Sequence, residues 1–100
     1  MNIGKYIIFD DAGAERPILF YNSYRHADMV PAGRVPVSAG AFMIWNDNAG
    51  TPKILTMGPS CTLNLDDRPQ DAEILRAFLN LPNPHPTPNQ NPVAWTPHHD

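Results

Sequence analysis

The prolines of this chain are concentrated at its C-terminal end, and this limits how much of the sequence can build a core. Six of the twelve prolines fall within residues 82–100, where the one charged residue is Asp100 and the main apolar side chains are Val93 and Trp95. Segments with dense proline and few apolar residues favour extended or disordered chain over packed structure. We therefore predict a globular domain over residues 1–81 and a Pro-rich extended or disordered tail over residues 82–100.

The composition of the chain narrows the class of protein. A formal net charge of −3 leaves no excess of Lys and Arg to neutralise phosphates, so we expect no direct nucleic-acid binding. The single cysteine, Cys61, has no internal disulfide partner, which fits a reducing compartment. No apolar run approaches the roughly 20 residues that span a bilayer, and the N-terminus lacks a signal-peptide pattern. We expect a cytoplasmic protein that does not bind membranes.

Hydrophobic patterning and turn residues predict the order of the elements. The last predicted strand alternates cleanly, with Cys61, Leu63 and Leu65 on one face, so Cys61 is expected to be buried and inert. Short connections favour hairpins, so we predict an α+β fold: a small, mostly antiparallel sheet of about five strands packed by one C-terminal helix. The five predicted strands cover residues 5–9, 17–21, 34–46, 53–57 and 60–66.

Two helical segments are predicted. The longer one starts with Asp67 as N-cap and Gln70 three residues later, and Pro82 ends it. Its apolar residues recur at helical spacing, at Ile74, Leu75, Phe78 and Leu79. A shorter segment, residues 22–30, forms one or two helical turns with Asn22 or Ser23 as N-cap.

Two acidic residues follow the first predicted strand, in the sequence IIFDDAG. Asp10 and Asp11 at such a position can hold Mg²⁺ through hard oxygen ligands, or they can form a solvated turn. We favour the turn, because residue 12 is Ala where an Asp-x-Asp phosphatase motif needs a second acid.

The segment Tyr24–Asp28 places a cation, an imidazole and a carboxylate close together in sequence. His26 could act as a general base or could orient a ligand, but a surface turn with a His26–Asp28 contact is the favoured interpretation. Small residues in the segment Ser38–Gly40 allow close approach either of a ligand or of another backbone, with packing slightly favoured. A thiol nucleophile at Cys61 working with His26 is disfavoured, because the alternating pattern buries the thiol.

The proline-dense tail allows two interpretations. Its PNPHPTP stretch can adopt polyproline II and dock in an aromatic groove of a partner, or it can act as a spacer. Trp95 is an isolated aromatic residue in a polar segment, so we expect it either to fold back on the domain or to anchor a partner.

The motifs KYIIFD, PILF, HADM, PVSAGAF and SCTLNLDDRPQDAEIL resemble those of a small family of uncharacterised proteins from bacteria and their phages. The resemblance spans most of residues 4–81. It implies a compact α+β domain and a viral accessory role in the host cytoplasm, and it implies no particular activity.

Because no catalytic set is recognisable, we predict a non-enzymatic binding protein that needs no cofactor and no metal. As a phage accessory factor it would inhibit a host defence protein or sequester a small anionic signalling ligand. A homo-oligomer would help to enclose such a ligand, since about 80 residues form few deep pockets. The candidate ligand-binding residues are the three arginines that can face an anion, with nearby polar and small residues: Arg25, Arg34, Arg68, His26, Asp28, Ser38 and Gly40.

Two other functions stay open. A virion-associated assembly protein would use residues 82–100 as a tether to a larger structure. A small enzyme, the least favoured of the three, would use His26 and Asp28 together with Ser38.

Overall fold

A computed structural model of the protein describes residues 2–81. Its four strands form one antiparallel sheet in the order β2-β1-β3-β4, so β1 and β3 are the central strands. The α+β class, the antiparallel sheet and the C-terminal helix are therefore confirmed. Residues 82–100 lie outside the described residues, and the predicted division into domain and tail stays a prediction. The elements are β1 (Asn2–Asp11), β2 (Ala14–Phe20), a 3₁₀ turn (His26–Met29), β3 (Val35–Asn46), β4 (Pro52–Met57) and α1 (Asp71–Phe78).

The hairpin between β1 and β2 closes on the two-residue turn Ala12-Gly13. Both residues have positive φ, 54° and 90°, as in the primed turns that match the twist of paired strands. The Asp10 carboxylate accepts the Gly13 N–H at 3.1 Å. These contacts agree with the solvated turn that the sequence favoured.

The core lies between one face of the sheet and α1. Tyr6 and Ile8 of β1, Phe42 of β3, Ile54 of β4 and Leu75 of α1 form its buried cluster. Burying an apolar side chain of this size stabilises the fold by about 1.5–3 kcal/mol. Partly buried apolar residues surround the cluster: Leu19, Val37, Ile44, Ala72, Ile74 and Leu79.

The predicted fifth strand is wrong, because residues 60–66 form a turn after β4. Ser60 and Leu65 make an isolated bridge, with the Ser60 N–H donating to the Leu65 carbonyl at 2.7 Å. Asn64 adopts a positive φ of 55°, a conformation that asparagine tolerates better than most residues. Turn chemistry therefore outweighs the alternating pattern, and Cys61 is exposed instead of buried.

The predicted start of the helix is also wrong, because α1 begins at Asp71 and not just after Asp67. The Asp71 carboxylate reaches back to accept the Arg68 N–H at 3.0 Å, while the Asp71 N–H donates to the Arg68 carbonyl at 3.0 Å. The first contact is one half of a capping box, with Asp71 in the place predicted for Gln70, and the second is an ordinary backbone turn. The first α-helical turn is thereby tied to the chain before it.

The C-terminal end of α1 is set by Asn80 before Pro82 is reached. Asn80 has a positive φ of 55°, and the Leu81 N–H donates to the Arg76 carbonyl at 3.0 Å, as in a Schellman motif. Phe78, expected on the apolar stripe, is 59% exposed because it lies in the last turn at the rim of the helix contact. The helix is the one α-helix among residues 2–81, and none there is long and apolar enough to cross a bilayer.

Candidate functional site

An apolar groove lies where β1 begins and β2 ends, beside the 3₁₀ turn. Its volume is about 700 Å³, within the range of about 300–1,000 Å³ typical of ligand sites. Asn2, Gly4 and Leu19 also border it. We call it the aromatic groove and define it by the apolar and aromatic side chains that dominate its lining: Ile3, Phe20, Tyr21, Tyr24, Met29 and Phe42.

Local sequence explains why the aromatic groove forms. Gly4 leaves room for the Phe42 ring, since a Cβ at position 4 would lie 2.8 Å from that ring. The segment after β2 turns back, with the Tyr24 N–H donating to the Tyr21 carbonyl at 3.1 Å. Lys5 fixes this turn to β1, because its Nζ donates to the Tyr24 carbonyl at 2.7 Å. The turn therefore holds two tyrosines beside the end of the sheet.

The exposure of these tyrosines suits binding rather than packing. Tyr21 is 77% exposed and Tyr24 is 51% exposed, and Ile3 beside them is also exposed. Aromatic residues are enriched at the centres of protein interfaces, where they bury large surfaces at low entropic cost. No charged side chain lines the groove among the described residues. The surface therefore favours an uncharged, apolar or aromatic occupant.

His26 has a structural connection that the sequence did not predict. Its Nε2 lies 2.8 Å from the Gly40 carbonyl, so Nε2 carries the proton that it donates there. The buried imidazole also packs edge-on against Phe20, with ring centroids 5.5 Å apart. His26 thereby holds the 3₁₀ turn against the sheet, and through Phe20 it supports the aromatic groove.

Asp28 is held by Arg25 in a bidentate ion pair. The Arg25 Nε and the second guanidinium nitrogen lie 2.9 and 3.1 Å from the Asp28 oxygens. This exposed pair raises the pKa of Arg25, chiefly through the hydrogen bond. The predicted His26–Asp28 contact is therefore replaced by contacts of Asp28 with Arg25 and of His26 with Gly40.

Cys61 and His26 both line a smaller cavity of about 200 Å³. The alternating pattern had instead predicted a buried thiol that does not work with His26. Lys5, Arg25 and Thr62 also line this cavity. Thr62 connects the two segments, because its Oγ1 accepts the Ala27 N–H at 3.1 Å. An exposed thiol in surroundings that include cations is accessible to thiol reagents.

The buried Asp71 carboxylate connects β1, β3 and α1. It is fully buried and accepts hydrogen bonds from the Tyr6 hydroxyl at 2.6 Å and the Ser38 hydroxyl at 3.0 Å. The Arg68 backbone N–H and Nε add two more, each at 3.0 Å. Burial and the hydrogen bond to Asp71 raise the pKa of the Tyr6 hydroxyl, which keeps it a donor. The donors surround the carboxylate and leave it no role toward a ligand.

Arg68 extends this network to the β1–β2 hairpin. Its guanidinium donates to both Glu15 oxygens, at 2.8 and 3.1 Å, in the fork geometry that arginine favours. The hydrogen bonds from Arg68 lower the pKa of the Glu15 carboxyl. The contact clamps α1 against the outer strand of the sheet.

The structure does not gather the predicted ligand-binding residues at one surface. Arg34 pairs with Asp11 at 2.9 Å, and Arg25 pairs with Asp28. Arg68 pairs with Glu15 of the hairpin. Ser38 is fully buried on Asp71, and a Cβ at Gly40 would collide with the Met57 carbonyl. Their role in ligand binding stays a prediction, and Trp95 lies outside the described residues.

No sequence pattern indicated the aromatic groove. Its side chains come from separate segments between residues 3 and 42, with no motif to connect them. The pair Tyr21 and Tyr24, in a short polar turn after a strand, was the available indication, because tyrosine combines an apolar ring with a polar hydroxyl and is enriched at interfaces.

Comparison with known proteins adds no assignment. Neither the protein-family models, nor the curated proteins, nor the solved structures include a match to this chain. Within residues 2–81, no group of three or more His, Cys, Asp or Glu side chains is arranged to hold a metal ion.

Proposed function

We propose that this protein is a non-enzymatic binding protein that takes an uncharged, apolar segment of a partner protein into the aromatic groove. The observation that carries the proposal is the exposure of Tyr21 and Tyr24 beside Ile3, at the rim of a groove of about 700 Å³. Aromatic anchors in such a groove provide most of the binding energy of many interfaces.

The polar residues support binding over catalysis, because their hydrogen bonds are made within the fold. Asp71 accepts from Tyr6 and Ser38, His26 faces the Gly40 carbonyl, and Arg68 holds Glu15. Groups committed in this way stabilise the scaffold that carries the groove.

A protein partner is also favoured over a small anionic ligand. The groove has no charged lining among the described residues, whereas an anion needs unpaired cations. Arg25 and Arg34 are each paired with a carboxylate, and breaking those pairs would oppose anion binding. The resemblance to bacterial and phage proteins fits a phage accessory factor acting on a host protein in the host cytoplasm.

The test compares groove variants with a matched exposed aromatic residue. Native mass spectrometry of the protein after exposure to bacterial lysate would use the wild type, the Tyr21→Ala/Tyr24→Ala variant and Phe78→Ala, whose ring is exposed on α1. We expect the wild type and Phe78→Ala to carry a partner adduct of similar intensity. On the Tyr21→Ala/Tyr24→Ala variant this adduct should be at least tenfold weaker. An adduct of equal intensity on all three would refute the groove as the binding site.

A further inference from the structure

A segment of the same chain is a candidate occupant of the aromatic groove. We propose that residues 82–100, which lie outside the described residues, bind the aromatic groove of the same molecule with Trp95 as the apolar anchor. This inference rests on the proposed function, because it names what occupies the binding site when no partner does.

The chemistry of the segment matches that of the groove. Six prolines and a single charged residue, Asp100, make it a proline-dense segment with little charge, and the described groove lining is uncharged. Proline-rich segments bind aromatic-lined grooves, where tyrosine rings pack on proline rings. Polyproline II has no internal hydrogen bonds, so its carbonyls are free to accept from the hydroxyls of Tyr21 and Tyr24.

The length of the segment also allows it to reach the groove. Leu79, just after α1, packs against the core cluster that contains Phe42, and Phe42 lines the groove. The described chain ends two residues later, at Leu81. Trp95 follows Leu81 by fourteen residues, which in polyproline II would span about 43 Å, since each residue adds about 3.1 Å. The described domain measures 45 × 29 × 19 Å, so this span is comparable with its longest dimension and allows Trp95 to reach the groove.

Occupancy by the chain itself would regulate the binding site. A tethered segment is present at an effective concentration in the millimolar range, so it competes with partners that bind the groove with low affinity. A partner must therefore offer a better apolar anchor than Trp95. We expect Trp95→Ala to increase the amount of partner captured by the groove.

Tryptophan fluorescence provides the test, because the chain has two tryptophans. In a full-length Trp45→Phe variant, Trp95 alone reports the environment of the segment. We expect a blue-shifted emission and an acrylamide quenching constant at least twofold lower than that of a synthetic peptide of residues 82–100. Adding Tyr21→Ala/Tyr24→Ala should restore the value of the peptide, whereas adding Phe78→Ala should not.

A second measurement covers the case in which Trp45→Phe disturbs the sheet. The unsubstituted chain labelled with 5-fluorotryptophan gives two ¹⁹F resonances, and a Trp95→Phe variant assigns them. The Trp95 resonance should shift toward that of the free peptide when Tyr21→Ala/Tyr24→Ala is introduced. The shift should not depend on protein concentration if the groove belongs to the same molecule.

Two results would overturn the inference. One is a Trp95 that is quenched in the full chain as fast as in the free peptide. The other is a Trp95 signal that changes with protein concentration, which would assign the occupant to a second copy. Neither result depends on lysate capture by the groove variants, so failure of this inference is distinguishable from failure of the proposed function.

Discussion

At the scale of single residues, Asp71 shows how much of this fold depends on one buried carboxylate. It connects Tyr6 on β1, Ser38 on β3 and Arg68 before α1, although these residues are far apart in sequence. A buried carboxylate is costly unless hydrogen bonds compensate the lost hydration, and here four donors do so. The helix is therefore held to the sheet by polar contacts as well as by apolar packing.

Removing this carboxylate should destabilise the protein strongly. For Asp71→Ala we expect the free energy of unfolding to fall by about 3–5 kcal/mol, because Tyr6, Ser38 and Arg68 lose their shared acceptor. Urea denaturation followed by circular dichroism measures the change. The matched control is Asp28→Ala, which removes an exposed ion pair and should change the free energy of unfolding far less. Equal losses in the two variants would contradict the account.

Replacing Asp67 should stabilise the protein, whereas replacing Asp71 should destabilise it. Burial raises the pKa of its carboxyl, and so does the neighbouring Asp66. The folded state then holds this proton more tightly than the unfolded state, so ionisation of Asp67 opposes folding at neutral pH. We expect Asp67→Asn to raise the Tm at pH 7, with the gain disappearing as the pH falls through the raised pKa. A gain that persists or grows in acid would contradict this assignment.

At the scale of elements, the strands and the helix that depend on the local pattern of residues could be predicted from the sequence. The four strands and the helix follow from runs of β-branched residues and from the stripe around Leu75, and these are present. The fifth strand failed because Ser60 and Asn64 satisfy the backbone locally in a turn. The Asp71 network and the aromatic groove could not be predicted, because each depends on side chains that only the sheet topology brings together.

The turn at residues 60–66 has a consequence that labelling can measure. Cys61 is exposed beside Lys5 and Arg25, whereas a strand would have buried it. We expect Cys61 in the native protein to react with Ellman's reagent at a rate within about tenfold of that in the unfolded chain, because access controls thiol reactivity. Reaction only after unfolding would show that the segment is packed as a strand.

At the scale of the whole molecule, a small sheet and one helix support a surface rather than an enclosed pocket. The charged side chains Arg25, Arg34 and Arg68 are all paired, while the aromatic side chains at one end of the sheet are exposed. A scaffold of this size with an apolar groove suits contact with an extended segment of another chain or with its own residues 82–100. The aromatic groove is therefore the surface that we propose for binding.

Site-specific photo-crosslinking provides a direct test of this proposal. Benzoylphenylalanine would replace Tyr24 in the groove and, in a separate control, Phe78 on α1, in the full-length protein exposed to bacterial lysate. We expect crosslinks from position 24, to a peptide within residues 82–100 or to a partner protein, and at least tenfold fewer from position 78. Equal crosslinking at the two positions, or none at position 24, would contradict it.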